Sequence, residues 1–157
     1  MKVLFLCTGN SARSILAEHL LRRLDPHRFE TWSAGSRPRG EVHPLALEVL
    51  AEDYGVDASA ARSKSWRELA DVDFDLVVTV CDDARESCPV WPGRTAAAQV
   101  HWGLRDPGAV TGDLDRQLAA FRETAHRLDA RLARLAALPL EELDQRELQQ
   151  RVERLAE

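Results

Sequence analysis

The chain has no apolar stretch that approaches a membrane span. At the N-terminus only Val3 to Leu6 is continuously apolar, too short even for the core of a signal peptide, so a cytoplasmic protein is expected. Nor is there an excess of positive charge. The 21 basic and 26 acidic side chains leave a net charge of −5, which argues against general nucleic-acid binding yet leaves room for an anionic substrate, because a local cradle can oppose the global sign. Lysine is scarce: only Lys2 and Lys64 accompany the arginines. Cysteine is scarcer than a disulfide framework needs. The three present, Cys7, Cys81 and Cys88, are an odd number, and in a reducing compartment they are better explained as reactive thiols. His19, His27, His43, His101 and His126 have no ligand spacing, so they read as surface or packing residues and no metal site is expected. Repeats, low-complexity tracts and linkers are absent. With 157 residues, 45% hydrophobic and 30% charged, the chain fits one soluble domain over residues 1–157 with a sizeable core.

Directly after the Val3-Leu4-Phe5-Leu6 run comes Cys7-Thr8-Gly9-Asn10-Ser11-Ala12-Arg13-Ser14. The apolar run suits a buried strand, and Ile15 to Leu21 takes up helical spacing, so the cysteine sits where a strand ends and a helix begins. Backbone N–H groups in such a turn point inward, and the helix N-terminus adds partial positive charge. Both favour a thiolate, and Arg13 offers a planar fork of donors suited to a tetrahedral oxyanion. Cys7 is the candidate nucleophile, with Thr8, Gly9, Asn10, Ser11, Ala12, Arg13 and Ser14 as the substrate-binding loop.

Further along, Arg28 to Trp32 reads as a short strand, broken into a loop by Ser33 to Gly40. His43-Pro44 opens a helix that ends at Tyr54-Gly55. Ser63 to Ala70 suggests a short helix with Ser65 as N-cap. Phe74 to Val80 is the strongest strand signal, as expected of a strand buried on both faces, and it ends on Cys81. Ala96 to Trp102 is a further strand, Asp113 to Leu138 a long helix, and residues 140–157 a final helical extension that packs on the body. Strands alternating with helices imply crossover connections and a mostly parallel, doubly wound α/β sheet with helices on both faces. Ligands bind such sheets beyond the carboxyl ends of the strands, where both Cys7 and Cys81 fall.

Cys81 and Cys88 are seven residues apart. In a continuous helix their Cα atoms would lie about 10.5 Å apart, against the roughly 4.4 to 6.8 Å a disulfide tolerates, so a bond between them requires that segment to unwind. A relay of thiol exchanges among the three cysteines suits electron transfer better than simple hydrolysis. Asp106, followed by Pro107 just beyond a predicted strand, is the candidate general acid, its carboxyl expected near apolar Trp102 and Leu104.

Together, Val3 to Ser14, Ser33-Ala34-Gly35, the Cys81/Cys88 pair and His101 to Pro107 resemble the thioredoxin-coupled arsenate reductases built on the low-molecular-weight protein tyrosine phosphatase fold. The resemblance covers about residues 2 to 138. It implies a four-stranded parallel sheet flanked by helices, with Cys7 as nucleophile, Arg13 as oxyanion clamp, Ser14 supporting the thiolate, Asn10 orienting the loop, Asp106 as general acid, and Cys81 and Cys88 as relay thiols. It further implies arsenate as substrate, thioredoxin as reductant, no cofactor, and a monomer. Many members carry another cysteine where this chain has Ala12. Some bind potassium through an asparagine, a glutamate, a serine and an aspartate; Asn10, Glu18 and Ser33 match, but Lys64 stands at the aspartate position, and its ammonium is expected to replace the ion. Gly108-Ala109 follows the Asp-Pro pair where the phosphatases commonly have aromatics, which leaves a phosphotyrosine ring less to stack on. Two other readings stay open: a phosphatase using Cys7, Arg13 and Asp106 alone, and a non-catalytic thiol sensor or adaptor that binds oxyanions.

Overall fold

The computed structural model describes residues 1–82, 89–93 and 97–156. Its elements run in the order β1 (Lys2–Cys7), α1 (Arg13–Leu24), β2 (Glu30–Gly35), α2 (Pro44–Tyr54), β3 (Leu76–Thr79), β4 (Ala98–His101), α3 (Leu114–Ala136) and α4 (Gln145–Arg154). Among the described residues the strands form one sheet in the order β2-β1-β3-β4, every neighbouring pair parallel. This is the expected four-stranded, α/β arrangement. β1 and β3 are central, which is why Val3 to Leu6 and Leu76 to Val78 read as unbroken apolar runs: a strand covered on both faces has no solvent side to alternate with.

The two faces are covered differently. Val3, Phe5, Leu76 and Val78 point into the larger core, where they meet buried residues of all four α-helices, among them Ile15, Val49, Leu128 and Val152. Leu4, Leu6 and Val77 point the other way, into a smaller cluster with Leu69, Phe74, Trp91 and Ala97, flanked by Trp32 and Trp66. Phe74 organises this second face, with the rings of Trp32 and Trp91 edge-on to it at 5.4 and 5.5 Å.

Three elements depart most from the sequence expectation. β2 does not stop at Trp32; it continues through Ser33 and Ala34 to Gly35, in register with Phe5, Leu6 and Cys7. The small residues that suggest a loop are needed within the strand, since a Cβ at Gly35 would lie 2.5 Å from the Thr8 carbonyl oxygen. The segment after Ser63 is a single 3-10 turn, Trp66–Leu69, with Ser65 Oγ accepting the Arg67 N–H at 3.2 Å. The C-terminal extension is broken: a 3-10 turn at Leu140–Glu142 precedes α4. Asp144 restarts the helix by a capping box, accepting the Glu147 N–H at 2.8 Å while Glu147 Oε2 accepts the Asp144 N–H at 3.1 Å. α4 then covers the edge strand β4, burying Leu148 and Val152. Trp102 Nε1 donates to the Val152 carbonyl at 3.0 Å, and Gln145 Nε2 to that of Ala97 at 3.2 Å. None of the helices among the described residues is long and apolar enough to cross a membrane.

Candidate active site

β1 ends at Cys7 and α1 begins at Arg13, and the five residues between them wrap around the cysteine sulfur. The Asn10 N–H points at Cys7 Sγ from 3.2 Å, and Ser14 Oγ lies 2.9 Å from it. Ser14 Oγ also accepts from Asn10 Nδ2 at 2.9 Å. A thiolate at Cys7 carries no hydrogen, so in that state Ser14 donates its hydroxyl hydrogen to the sulfur, which then receives two hydrogen bonds. Asn10 takes a left-handed backbone (φ 44°), which asparagine tolerates better than most residues. Its Oδ1 accepts the Lys64 N–H at 2.9 Å, tying the turn to the segment beside β2. α1 has no side-chain cap, Ala12 occupying that position, so no capping side-chain oxygen competes for the first-turn N–H groups at this end of the helix.

Neighbouring loops hold this turn from outside. The carbonyls of Cys7, Thr8 and Gly9 accept the N–H groups of Ser36, Arg37 and Arg39 at 3.2, 2.9 and 3.0 Å, and the Ser11 carbonyl accepts that of His43 at 3.0 Å. With their carbonyls spent outward, the loop's remaining polarity is turned inward. Arg13 is only 5% exposed, and its Nη1 donates to the Leu104 carbonyl at 2.9 Å. That bond crosses from α1 to the loop after β4 and fixes the guanidinium beside Cys7.

Cys7, Gly9, Ser11, Ala12, Arg13, Asp106 and Gly108 line one cavity together with two residues the sequence reading did not assign to it, Arg39 and His43. Thr8 belongs to the same turn, and Asn10 and Ser14 support it from behind, fully buried. Asp106 begins a short 3-10 turn, accepting the Gly108 N–H at 2.8 Å, and its Oδ2 lies 3.6 Å from Arg39 Nη2. The expected apolar surroundings of this carboxyl are therefore corrected: a guanidinium and an amide face it. Trp102 turns away into the larger core, with Arg131 over its ring.

His43 caps α2, its Nδ1 accepting the Leu45 N–H at 3.1 Å, and its ring packs 4.5 Å from that of Phe121. Burial pushes its pKa below the ordinary value, with Arg39 adding to that and Asp106 opposing it. A neutral ring with Nδ1 as acceptor carries its proton on Nε2. His43 is thus a wall of the cavity as well as a helix cap. Arg39 and His43 follow the loop pattern by 25 residues or more, and only the pairing of β2 beside β1 brings them to it.

Cys81 follows β3 and is fully buried in the same core as Cys7. β1 and β3 are parallel neighbours, and the Val80 N–H donates to the Leu6 carbonyl at 2.9 Å, so both cysteines leave the sheet at the same carboxyl edge. Cys81 is disulfide-bonded, whereas Cys7 is a free thiol. Cys88 lies outside the described residues.

A potassium ion at Asn10, Glu18 and Ser33 does not fit the residues present. Glu18 is buried and already engaged, accepting from Arg22 Nη2 at 2.7 Å and from Ser33 Oγ. The Asn10 carbonyl oxygen is taken by Lys64 N–H, and the Lys64 ammonium donates to the Arg62 carbonyl at 3.2 Å. Burial lowers the Lys64 pKa, and attraction to Glu18 is the largest effect opposing it. The oxygens that Asn10 and Glu18 would offer a potassium ion are therefore already taken by donors of the protein itself.

Residues 2–151 match the sequence profile of the low molecular weight phosphotyrosine protein phosphatase family. An arsenate reductase of Shouchella clausii is 33% identical over 138 residues, which cover 85% of this chain and 94% of that protein. Among solved structures, the arsenate reductase of Archaeoglobus fulgidus superposes with a TM-score of 0.72 at 29% identity, over 87% of this chain and 99% of that one. A thioredoxin-dependent arsenate reductase of Corynebacterium glutamicum superposes with a TM-score of 0.61 at 29% identity, over 87% of this chain and 60% of that one. With sheet order, loop construction and sequence in agreement over most of its length, the chain belongs to the low molecular weight phosphotyrosine protein phosphatase family.

Proposed function

We propose that the protein reduces arsenate to arsenite in the cytoplasm, with thioredoxin as the reductant. The observation that carries this reading is the exit of Cys7 and Cys81 from adjacent parallel strands at one edge of the sheet, the first inside an anion cradle and the second buried beside it. A hydrolase needs only the first of these thiols.

In the proposed reaction the Cys7 thiolate, held by Ser14 and the Asn10 N–H, attacks arsenic(V) while Arg13 and the loop N–H groups bind the oxyanion. Asp106 delivers a proton to the departing oxygen, which leaves as water, and a Cys7–arsenic bond forms. The Cys81 thiolate then attacks Cys7 Sγ. The sulfur–arsenic bond breaks with its electron pair going to arsenic, so arsenite leaves and a Cys7–Cys81 disulfide remains. Cys88 attacks Cys81 in turn, freeing Cys7 and moving the disulfide outward for thioredoxin to reduce.

Hydrolysis of phosphate monoesters is the second reading, favoured by the family's own activity and by a cradle that would accept phosphate equally well. Steady-state arsenate reduction with purified thioredoxin and its reductase, run beside an aryl-phosphate assay, separates the two. Cys81→Ser and Cys88→Ser should abolish arsenate turnover and leave aryl-phosphate hydrolysis in place. Unchanged arsenate turnover in either variant overturns the relay.

A further inference from the structure

Two arginines face the cavity, and they are built in opposite ways. Arg13 is in the floor, buried and pinned to the Leu104 carbonyl. Arg39 lies over the top. Its backbone N–H is anchored to the Gly9 carbonyl at 3.0 Å. Its side chain runs across Gly9, so that a Cβ added there would meet Nε at 3.1 Å and Cγ at 3.3 Å. Its head then reaches Asp106 on the opposite rim, 3.6 Å away, with the Arg39 side chain still 59% exposed and that of Asp106 20% exposed. One rim comes from the loop after β2 and the other from the loop after β4, and the Arg39–Asp106 pair spans the gap between them.

We propose that Arg39 is a specificity-determining residue that closes over the outward oxygen of a bound inorganic oxyanion and discriminates against organic monoesters of the same anion. The substrate identity rests on the reductase reading above; the closure does not. For in-line attack by Cys7, the group that departs points away from the sulfur and therefore toward the mouth. In arsenate or phosphate that group is a bare oxygen or hydroxyl. It fits beneath the Arg39 head, which transfers part of its hydrogen bonding from Asp106 to the anion and leaves the carboxyl beside the oxygen that needs a proton. In an aryl or alkyl monoester the same direction carries carbon, which has to displace Arg39 and break its pairing with Asp106. An exposed pair at this separation contributes little to fold stability, so Arg39 can be removed without dismantling the site. The absence of a side chain at Gly9 is what lets the arginine stem lie this low; Arg39 and Gly9 work as one feature.

The test compares wild type with Arg39→Ala and Arg39→Lys in three measurements: the Kd for inorganic phosphate by titration calorimetry, kcat and KM for arsenate, and kcat/KM for an aryl phosphate. Arg39→Ala should raise the phosphate Kd and the arsenate KM about tenfold, the scale of one charge-assisted contact. Since that contact forms with bound substrate as well as in the transition state, kcat should stay within about threefold. Activity on the aryl phosphate should hold or rise. Arg39→Lys should recover part of the phosphate affinity, because it restores the charge without the fork. A phosphate Kd within about twofold of wild type in Arg39→Ala overturns the proposal, and so does an equal loss on arsenate and aryl phosphate. A wild-type protein that binds phosphate but turns over no arsenate overturns the reductase reading alone, and the phosphate Kd still decides the role of Arg39.

Discussion

The floor and the mouth of this cavity are held by different physics. In the floor, Asn10, Arg13 and Ser14 are buried, and short hydrogen bonds over three to seven residues of sequence fix the sulfur's surroundings. At the mouth, Arg39 and Asp106 come from loops 67 residues apart and meet through one partly exposed ion pair. A buried, locally bonded group keeps its geometry whether or not substrate is present, whereas an exposed pair exchanges partners at little cost. The floor is suited to the bond-making step and the mouth to admitting and selecting the anion. Variants in the floor should lower kcat, and variants at the mouth should change KM, selectivity or pH response.

Removing the floor's charge should give the largest effect. Arg13→Ala is expected to lower kcat/KM by about 10²- to 10³-fold, the range for loss of one preorganised donor to a developing oxyanion, as read by steady-state kinetics. A loss confined to KM would erase the distinction drawn between the two arginines. Gly35→Ala comes next. Its Cβ would meet two backbone atoms of the loop, Thr8 O at 2.5 Å and Asn10 N at 3.0 Å, neither of which is a flexible side-chain end. The loop has to move, and an ångström of displacement lowers kcat/KM about a hundredfold with a stability loss of roughly 1–3 kcal/mol, measurable as a lower denaturant midpoint. Wild-type kinetics in this variant would show that the floor is less rigid than its hydrogen bonds imply. Ser14→Ala removes one of two donors to Cys7 and should slow alkylation of that thiol at neutral pH about tenfold; an unchanged alkylation rate would assign the activation to the backbone alone.

The smallest effect belongs to His43, on the mouth side. Its pKa is lowered in the folded protein from the ordinary 6.5, so the folded state binds fewer protons than the unfolded one in this window. The stability tied to the neutral ring is fully present above pH 6.5 and is lost as pH falls through the lowered value. His43→Asn keeps an acceptor for the Leu45 N–H and should flatten the acid-side decline of the denaturant midpoint. Identical pH profiles for the two proteins would place the titration elsewhere.

Much of the floor was legible because its contacts are local. A buried run, a cysteine, a glycine, an asparagine able to take φ 44°, an arginine and a serine fall in the order a strand, tight turn and helix need, and the structure brings Cys7 to Ser14 together in that form. The sheet was equally legible in Val3 to Leu6 and Phe74 to Val80, since strands covered on both faces advertise themselves. Ser33 to Gly35 misled, because small residues mark loops and also mark strands over which another backbone passes closely. Arg39 and His43 carried no local signal. One sits in a loop whose composition is ordinary, and the other reads as a helix start.

By itself the sequence determined the alternating strands and helices of a parallel α/β fold and an oxyanion loop with a thiol at its centre, because each strand, each helix and the loop is marked by residues close together in the chain. The tertiary structure decided what stands around that thiol. The β2-β1-β3 order sets Cys81 at the same edge of the sheet and lays Arg39 across Gly9 toward Asp106. Those placements depend on which strands pair and how loops far apart in the chain approach, and a row of residue types does not encode either one locally.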